Sequence, residues 1–263
     1  MNLYKSLIFI LYLGIFLGSG FRTPAQSRDS ITLYGTLDTV QVIRQRIQHA
    51  NEANAGARVT HISPAILQAN KTRSLAELLT DHTSIYIKSL GTGALSTASF
   101  RGTSASQTRV NWNGINITPP LSGTFDFSQI PVFFTDNINL YYGSSHVKNG
   151  TGAIGGSVNL FTDTDWNRGV NGRVLAEYGS YNTYTVGGQA NISGNKSASK
   201  TRLYYQHSDN DYTYLNKVLT NIPFREKRQD AAYSQFGIMQ EGYFRVSPYT
   251  RLTAVAWYQK NYR

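Results

Sequence analysis

Phe100-Arg101-Gly102-Thr103-Ser104-Ala105-Ser106-Gln107, Trp112-Asn113-Gly114, Asp126-Phe127-Ser128-Gln129-Ile130-Pro131 and Gly150-Thr151-Gly152-Ala153-Ile154-Gly155-Gly156-Ser157-Val158-Asn159-Leu160 are the pieces on which the reading of this chain turns. Across 100–160, short apolar runs are cut by glycine or proline turns, and no run is long and periodic enough for a dominant helix. The region is read as a set of short strands. The last piece also contains a literal Gly-x-Gly-x-x-Gly at 150–155, with Glu177 downstream. A dinucleotide site needs that motif between a strand and a helix whose N-terminus holds the pyrophosphate. Here Ser157–Phe161 continues as strand and no helical pattern follows, so the nucleotide reading is rejected.

Before this stretch, Val59–Ser63 reads as a strand, and Ser63-Pro64 as a helix start with a hydroxyl cap and proline in the first turn. Ser74-Leu75-Ala76-Glu77 is a capping box, which predicts a short helix burying Leu75, Leu78 and Leu79. Ile85 and Ile87 face one side of the next strand, Tyr86 and Lys88 the other, and Gly91-Thr92-Gly93 leads into the central stretch.

After Gly169 the texture changes to alternating strands, read at roughly 171–178, 184–191, 199–207, 233–244 and 251–262. Val174, Ala176 and Tyr178 share a face, as do Tyr184, Val186, Gly188 and Ala190; Leu203 and Tyr205 oppose Arg202, Tyr204 and Gln206; Leu252, Ala254, Ala256 and Tyr258 repeat the pattern. Segments of about ten residues, apolar outward and polar inward with tyrosines near the ends, are the pattern of a transmembrane barrel. A soluble sandwich alternates too, but these faces are small and aromatic rather than rich in Val, Ile and Leu.

Composition agrees. The 263 residues hold 18 Tyr and 23 Gly with only 15% charged side chains. The net charge of +10 is spread out; its densest cluster, Arg225-Glu226-Lys227-Arg228, is short and contains a Glu, so nucleic acid is not expected as a partner. The absence of cysteine excludes disulfides, thiolate metal sites and cysteine nucleophiles. The five histidines (His49, His61, His82, His146, His207) have no paired ligand spacing. No nucleophile–base set or carboxylate pair stands out, and an enzyme is not expected. Residues 1–25, with Lys5, the apolar run Leu7–Leu17 and Thr23-Pro24-Ala25, have the layout of a signal peptide. Its apolar run falls short of the ~20 residues that a spanning helix needs.

The order and spacing of the central pieces resemble the plug domain of TonB-dependent outer-membrane receptors, nearest the cobalamin-receptor (BtuB-like) branch. The likeness lies in the Arg-Gly-Thr-x-Ala segment, the Ser-Gln-x-Pro turn and the Ala-Ile-Gly-Gly-x-Val-Asn ending. The resemblance implies a mainly β chain with a small α/β plug. Residues 1–25 are then a signal peptide, 26–57 a periplasmic tether, 58–166 the plug, and 167–263 the first strands of a barrel of about 22 strands. Within the tether, Asp38, Thr39, Val40, Gln41 and Val42 correspond to the TonB box, an extended segment able to complete a partner's sheet edge. The plug motif residues are Arg101, Gly102, Asn113, Gly114, Gly155 and Gly156. In the family the arginine matching Arg101 is buried near the barrel wall.

Two departures stand out. The usual Asp-Gly turn is Asn113-Gly114, and the usual Arg-Gly pair near the plug's end is Tyr142-Gly143, which puts in doubt any plug–barrel ion pair made by that arginine.

The implied function is energised uptake of a large, scarce nutrient across the outer membrane. Cobalamin or a related corrinoid is the leading substrate class, and a siderophore or other iron chelate comes next. The partners would be a TonB-type energy-transducing protein and outer-membrane lipids. No cofactor is implied. The loop Ser208–Ala232 carries Asp209, Asp211 and Asp230, oxygen ligands of the kind calcium takes, although a solvated loop is the preferred reading. An open sheet cannot sit in hydrocarbon, because each unpaired backbone group there costs several kcal/mol. Five strands alone are therefore expected to leave a loose or aggregating tail, with a separate chain or further sequence supplying the remaining strands. The rival reading is a plug without a barrel, acting as a periplasmic interaction module.

Overall fold

The computed structural model describes residues 58–143, 153–216 and 224–263. The signal-peptide layout, the segment Asp38–Val42, His49, His146 and Gly150–Gly152 lie outside the described residues.

The amino-terminal module is a five-stranded sheet flanked by two short helices. Its strands are β1 (Arg58–His61), β4 (Thr108–Trp112), β5 (Ile115–Asn116), β6 (Asn137–Tyr142) and β7 (Gly156–Phe161), in the order β1-β6-β7-β4-β5. β4 and β7 are parallel; the other pairs are antiparallel. A separate hairpin pairs β2 (Tyr86–Ser89) with β3 (Ser96–Ser99).

Helix α1 (Pro64–Ala69) starts at Ser63, whose Oγ accepts from the Ile66 amide at 3.3 Å. Helix α2 (Leu75–His82) opens with the complete capping box. There the Ser74 amide donates to Glu77 Oε2 at 2.8 Å, and the Glu77 amide to Ser74 Oγ at 3.3 Å. Its Leu75, Leu78 and Leu79 are fully buried, in one core with Ile130, Val132, Phe134, Val158 and Leu160. The β4–β5 turn is Asn113-Gly114, with φ +49° and +85°, the two left-handed positions of a type I′ hairpin. Asx-Gly is therefore required there, and a carboxylate is not.

The second layer is one antiparallel sheet. It comprises β8 (Gly169–Gly179), β9 (Thr183–Ser193), β10 (Ser197–Ser208), β13 (Tyr233–Arg245) and β14 (Arg251–Tyr262), ordered β14-β13-β10-β9-β8. Between β10 and β13 the loop folds into a hairpin of its own, β11 (Thr213–Asn216) with β12 (Phe224–Lys227), which alternation alone does not reveal. Register sets Val174 opposite Gly188, Ala176 opposite Val186 and Tyr178 opposite Tyr184, so the apolar positions form one continuous outer face. On that face Val174 is 81% exposed, and Leu203, Ile238, Phe244 and Leu252 are exposed as well. A water-facing sheet does not carry an apolar patch of this extent. The inner face is the opposite: Lys200, Arg202, Tyr204, Met239, Glu241 and Tyr243 are buried against the module.

In the structure the sheet lies over the module, where its inward side chains find partners. It stays open, with β8 and β14 as its edges. Among the described residues, no helix is long and apolar enough to cross a membrane, which says nothing of strands.

Candidate functional site at the inner face of the wall

One segment of the module that meets the sheet is Pro131–Asp136. After Pro131 the chain makes a 3₁₀ turn, Val132–Phe134, which turns both phenylalanines toward the sheet. Tyr204 on β10 stands opposite Gly187 of β9 on one side and Gly237 of β13 on the other. Phe133 and Phe134 flank its ring at centroid distances of 5.9 and 6.0 Å. A Cβ at Gly187 would come within 3.2 Å of the Phe133 ring, and one at Gly237 within 2.7 Å of the Phe134 ring. The two glycines are thus seats for the two rings, and the tyrosine hydroxyl beyond them donates to the Thr72 carbonyl at 2.9 Å. Aromatic burial supplies area, and the missing side chains make the approach possible.

Two residues further on, Asp136 is the charged contact of this segment. Its Oδ2 accepts from Lys200 Nζ at 2.9 Å, from Arg202 Nη2, and from the Asp163 amide at 3.0 Å. Arg202 is fully buried. It also donates from Nε to Glu241 Oε2 at 3.1 Å and from Nη1 to the Phe133 carbonyl at 2.9 Å. Glu241 Oε1 in turn accepts from the Tyr243 hydroxyl at 2.8 Å. On the module side, Lys71 donates to the carbonyls of Thr135 (2.5 Å) and Val132 (3.4 Å).

Burial pushes the Asp136 carboxyl up, but Arg202 and Lys200 outweigh it and hold the group at about 2. Burial is the main influence on Lys71 as well and lowers it to about 8, with Asp136 pulling the other way. Buried ion pairs of this kind contribute little net stability but cost several kcal/mol when one partner is removed, which makes them better at fixing one arrangement than at strengthening it.

Further ties surround this centre. Gln235 Nε2 donates to the Ser128 carbonyl at 2.9 Å, and Arg263 donates to Asp126 and Ser128 at 2.8 Å each. Trp112 stacks near Trp257 at 4.8 Å. Asn210 Nδ2 reaches the Thr92 carbonyl at 3.0 Å. The Asp126–Pro131 turn is thus held by the wall as well as by its own cap, in which Asp126 Oδ1 accepts from the amides of Ser128 and Ser96.

The sequence-derived candidates fall elsewhere. Arg101 is exposed among the described residues, with φ +48°, and Gly102 follows at +77°. Among the described residues the buried arginine is Arg202, and it comes from the wall. The ionic contact therefore runs from wall cation to module carboxylate, consistent with Tyr142 standing where the family's usual plug arginine would. Gly155 and Gly156 pack against the Phe100–Thr103 segment: a Cβ on Gly156 would sit 2.7 Å from the Phe100 ring, and the Gly155 amide donates to the Gln107 carbonyl at 3.1 Å. Asn113 ties to Thr162 through two hydrogen bonds of 2.9 Å. These motif residues hold the module together; they do not line the contact.

In the loop between β10 and β13, Asp209 pairs with His207 at 3.1 Å and Asp211 with Lys227 at 2.5 Å, which lowers the Asp211 carboxyl. The structure does not bring Asp209, Asp211 and Asp230 together: among the described residues no group of three or more such side chains is placed to hold a metal ion.

The residues that make the contact, Phe133, Phe134, Asp136, Gly187, Lys200, Arg202, Gly237 and Glu241, carry no motif. The available signal was phase. Lys200, Arg202 and Glu241 sit on the polar register of strands whose other register is apolar, and charges that deep in an inward face need partners.

Comparison with known proteins places this architecture. Residues 51–157 match the TonB-dependent receptor plug domain. Over 135 residues, 51% of the chain, the sequence is 32% identical to the vitamin B12 transporter BtuB of Photobacterium profundum, and the match covers 22% of that protein. The chain thus spans about a fifth of the curated relatives it matches. In fold it is similar to the pyoverdine outer membrane receptor FpvA of Pseudomonas aeruginosa PAO1 (TM-score 0.60, 15% identity, covering 78% of this chain and 27% of that one). It is likewise similar to the ferric enterobactin receptor PfeA of Pseudomonas aeruginosa (TM-score 0.60, 16% identity, 81% and 34%). Residues 51–157 are thus matched in sequence by the TonB-dependent receptor plug domain, with BtuB-like similarity over half of the chain, and the sheet that covers them is similar in fold to the strands of outer-membrane receptors.

Proposed function

We propose that this chain is the amino-terminal part of an outer-membrane transporter that takes up a large, scarce nutrient with energy delivered by a TonB-type protein. The observation that carries the reading is the docking of Phe133, Phe134 and Asp136 into the inner face of a sheet whose outer face is apolar. A stopper seated by side-chain contacts rather than by shared strands can be released as a unit. In this reading residues 1–25 direct export, 26–57 tether the plug, and Asp38–Val42 is the segment the transducer pairs with and pulls. The plug spans 58–166, and 167–263 begins the barrel, whose remaining strands come from further sequence or another polypeptide.

Cobalamin or a related corrinoid is the proposed cargo, supported by the 32% identity to a vitamin B12 transporter. A siderophore complex is the second reading, supported by the fold likeness to receptors for pyoverdine and ferric enterobactin. The test is uptake of labelled cyanocobalamin and of a labelled ferric chelate by cells carrying the chain in its native setting, with and without a V40P substitution in the proposed box. Energised uptake of one of the two, abolished by the proline, is the expected result. Uptake of neither would overturn the transport reading, and turnover of either would point to an enzyme.

A further inference from the structure

Asp136 is surrounded as a bound anion would be. Lys200 Nζ, Arg202 Nη2 and the Asp163 amide all donate to the same oxygen, Oδ2. Three buried cations, Lys71, Lys200 and Arg202, face two carboxylates, Asp136 and Glu241. Guanidinium and ammonium groups converging on one oxygen are the donor set that recognises carboxylates and phosphates.

The two strongest donors belong to the wall, while the carboxylate belongs to the plug. Arg202 is also oriented without the plug's help: its Nε is fixed on Glu241, whose other oxygen is held by the Tyr243 hydroxyl. Withdrawing the segment 133–136 together with Asp163 removes both partners of Lys200 and two of the three partners of Arg202. Of this cluster two cations and one carboxylate, Lys200, Arg202 and Glu241, then remain, one positive charge in excess.

We propose that Lys200 and Arg202 form an oxyanion-binding site on the inner face of the wall. The plug's own Asp136 fills this site in the closed arrangement, and a carboxylate or phosphate takes it when the plug withdraws. This rests on the transport reading only for the withdrawal step; the site itself is built in the closed state. Its ligand is a small oxyanion, either free in the envelope or part of the cargo. A wall site vacated as the plug leaves gives an anionic group a foothold halfway through, and it compensates Lys200, which withdrawal leaves without either partner.

The test is chemical rescue of Asp136→Ala in the chain extracted from outer membranes, read as thermal midpoint and plug protection from trypsin. Asp136→Ser serves if the alanine variant does not accumulate. Formate or inorganic phosphate is expected to recover more than half of the lost midpoint. Chloride at equal ionic strength should not, and the parent chain, whose site is filled, should not respond. Adding Lys200→Gln to the Asp136 variant should weaken rescue by about tenfold in the ion concentration required. Cyanocobalamin in oxyanion-free buffer is the separating arm: recovery by it assigns the site to the cargo's own phosphate, and recovery by formate and phosphate alone assigns it to a free ion. No recovery by any of the three, equal recovery by chloride, or rescue unchanged by Lys200→Gln would overturn the proposal. Absent rescue with uptake intact sinks only the site, and rescue without uptake in the parent sinks only the transport reading.

Discussion

The ring of Phe134 lies against the α-carbon of Gly237 so closely that a Cβ there would meet two ring atoms at 2.7 Å. Rigid ring and rigid backbone leave nothing to give way, so Gly237→Ala should push the 132–136 segment off the wall. The expected cost is that of overpacking a tight contact, about 2 kcal/mol. Trypsin should cut the plug of this variant in extracted protein under conditions that spare the parent. Gly188→Ala, where a Cβ meets nothing within 4 Å, is the matched control and should leave protection unchanged.

The Asp136 carboxyl is held at about 2, against an ordinary 3.8. Its folded-state value is depressed, so its contribution is fully present above about pH 4 and is lost as pH falls toward 2. The size implied is about 2 kcal/mol. Urea midpoints between pH 5 and pH 2 should fall less steeply in Asp136→Asn than in the parent. Parallel slopes would show that the acid sensitivity lies elsewhere.

Lys71 has the opposite charge and is also shifted down, from 10.5 to about 8. The folded state therefore holds fewer protons than the unfolded chain between about pH 8 and 10.5, and stability should rise with pH across that window. The gain approaches about 3 kcal/mol. Lys71→Met should flatten this rise, since the methionine side chain carries no proton to lose. A variant that keeps the parent's slope would contradict the assignment.

Much of the framework was legible in the residues because it is local. The Ser74–Glu77 box, the Ser63-Pro64 start, the Asn113-Gly114 turn and the alternation of β8 to β10 each depend on neighbours within a few positions. The contact that joins the two layers was not legible. Asp136 and Arg202 lie 66 positions apart, and Phe134 and Gly237 have no local reason to meet. For Arg101 the likeness to the family left a buried site and a rim position both open, and among the described residues it is an exposed left-handed turn residue. The buried guanidinium came from a strand that alternation showed only as polar-facing. The hairpin β11–β12 was hidden for a related reason: two four-residue strands inside a loop are too short for a period to register.

The most direct test of the proposal that a plug seated on this wall leaves it during uptake uses the absence of cysteine from the 263 residues, which makes an introduced thiol pair in them unambiguous. Gln235 and Ser128 join wall to plug through one 2.9 Å hydrogen bond. A Ser128→Cys, Gln235→Cys chain in outer membranes, treated with a short thiol-bridging reagent, should link in high yield. The linked form should keep ligand binding while losing uptake, and reversing the bridge should restore it. Failure of the pair to link, or uptake undiminished once it is linked, would contradict a plug that is seated here and moves from here.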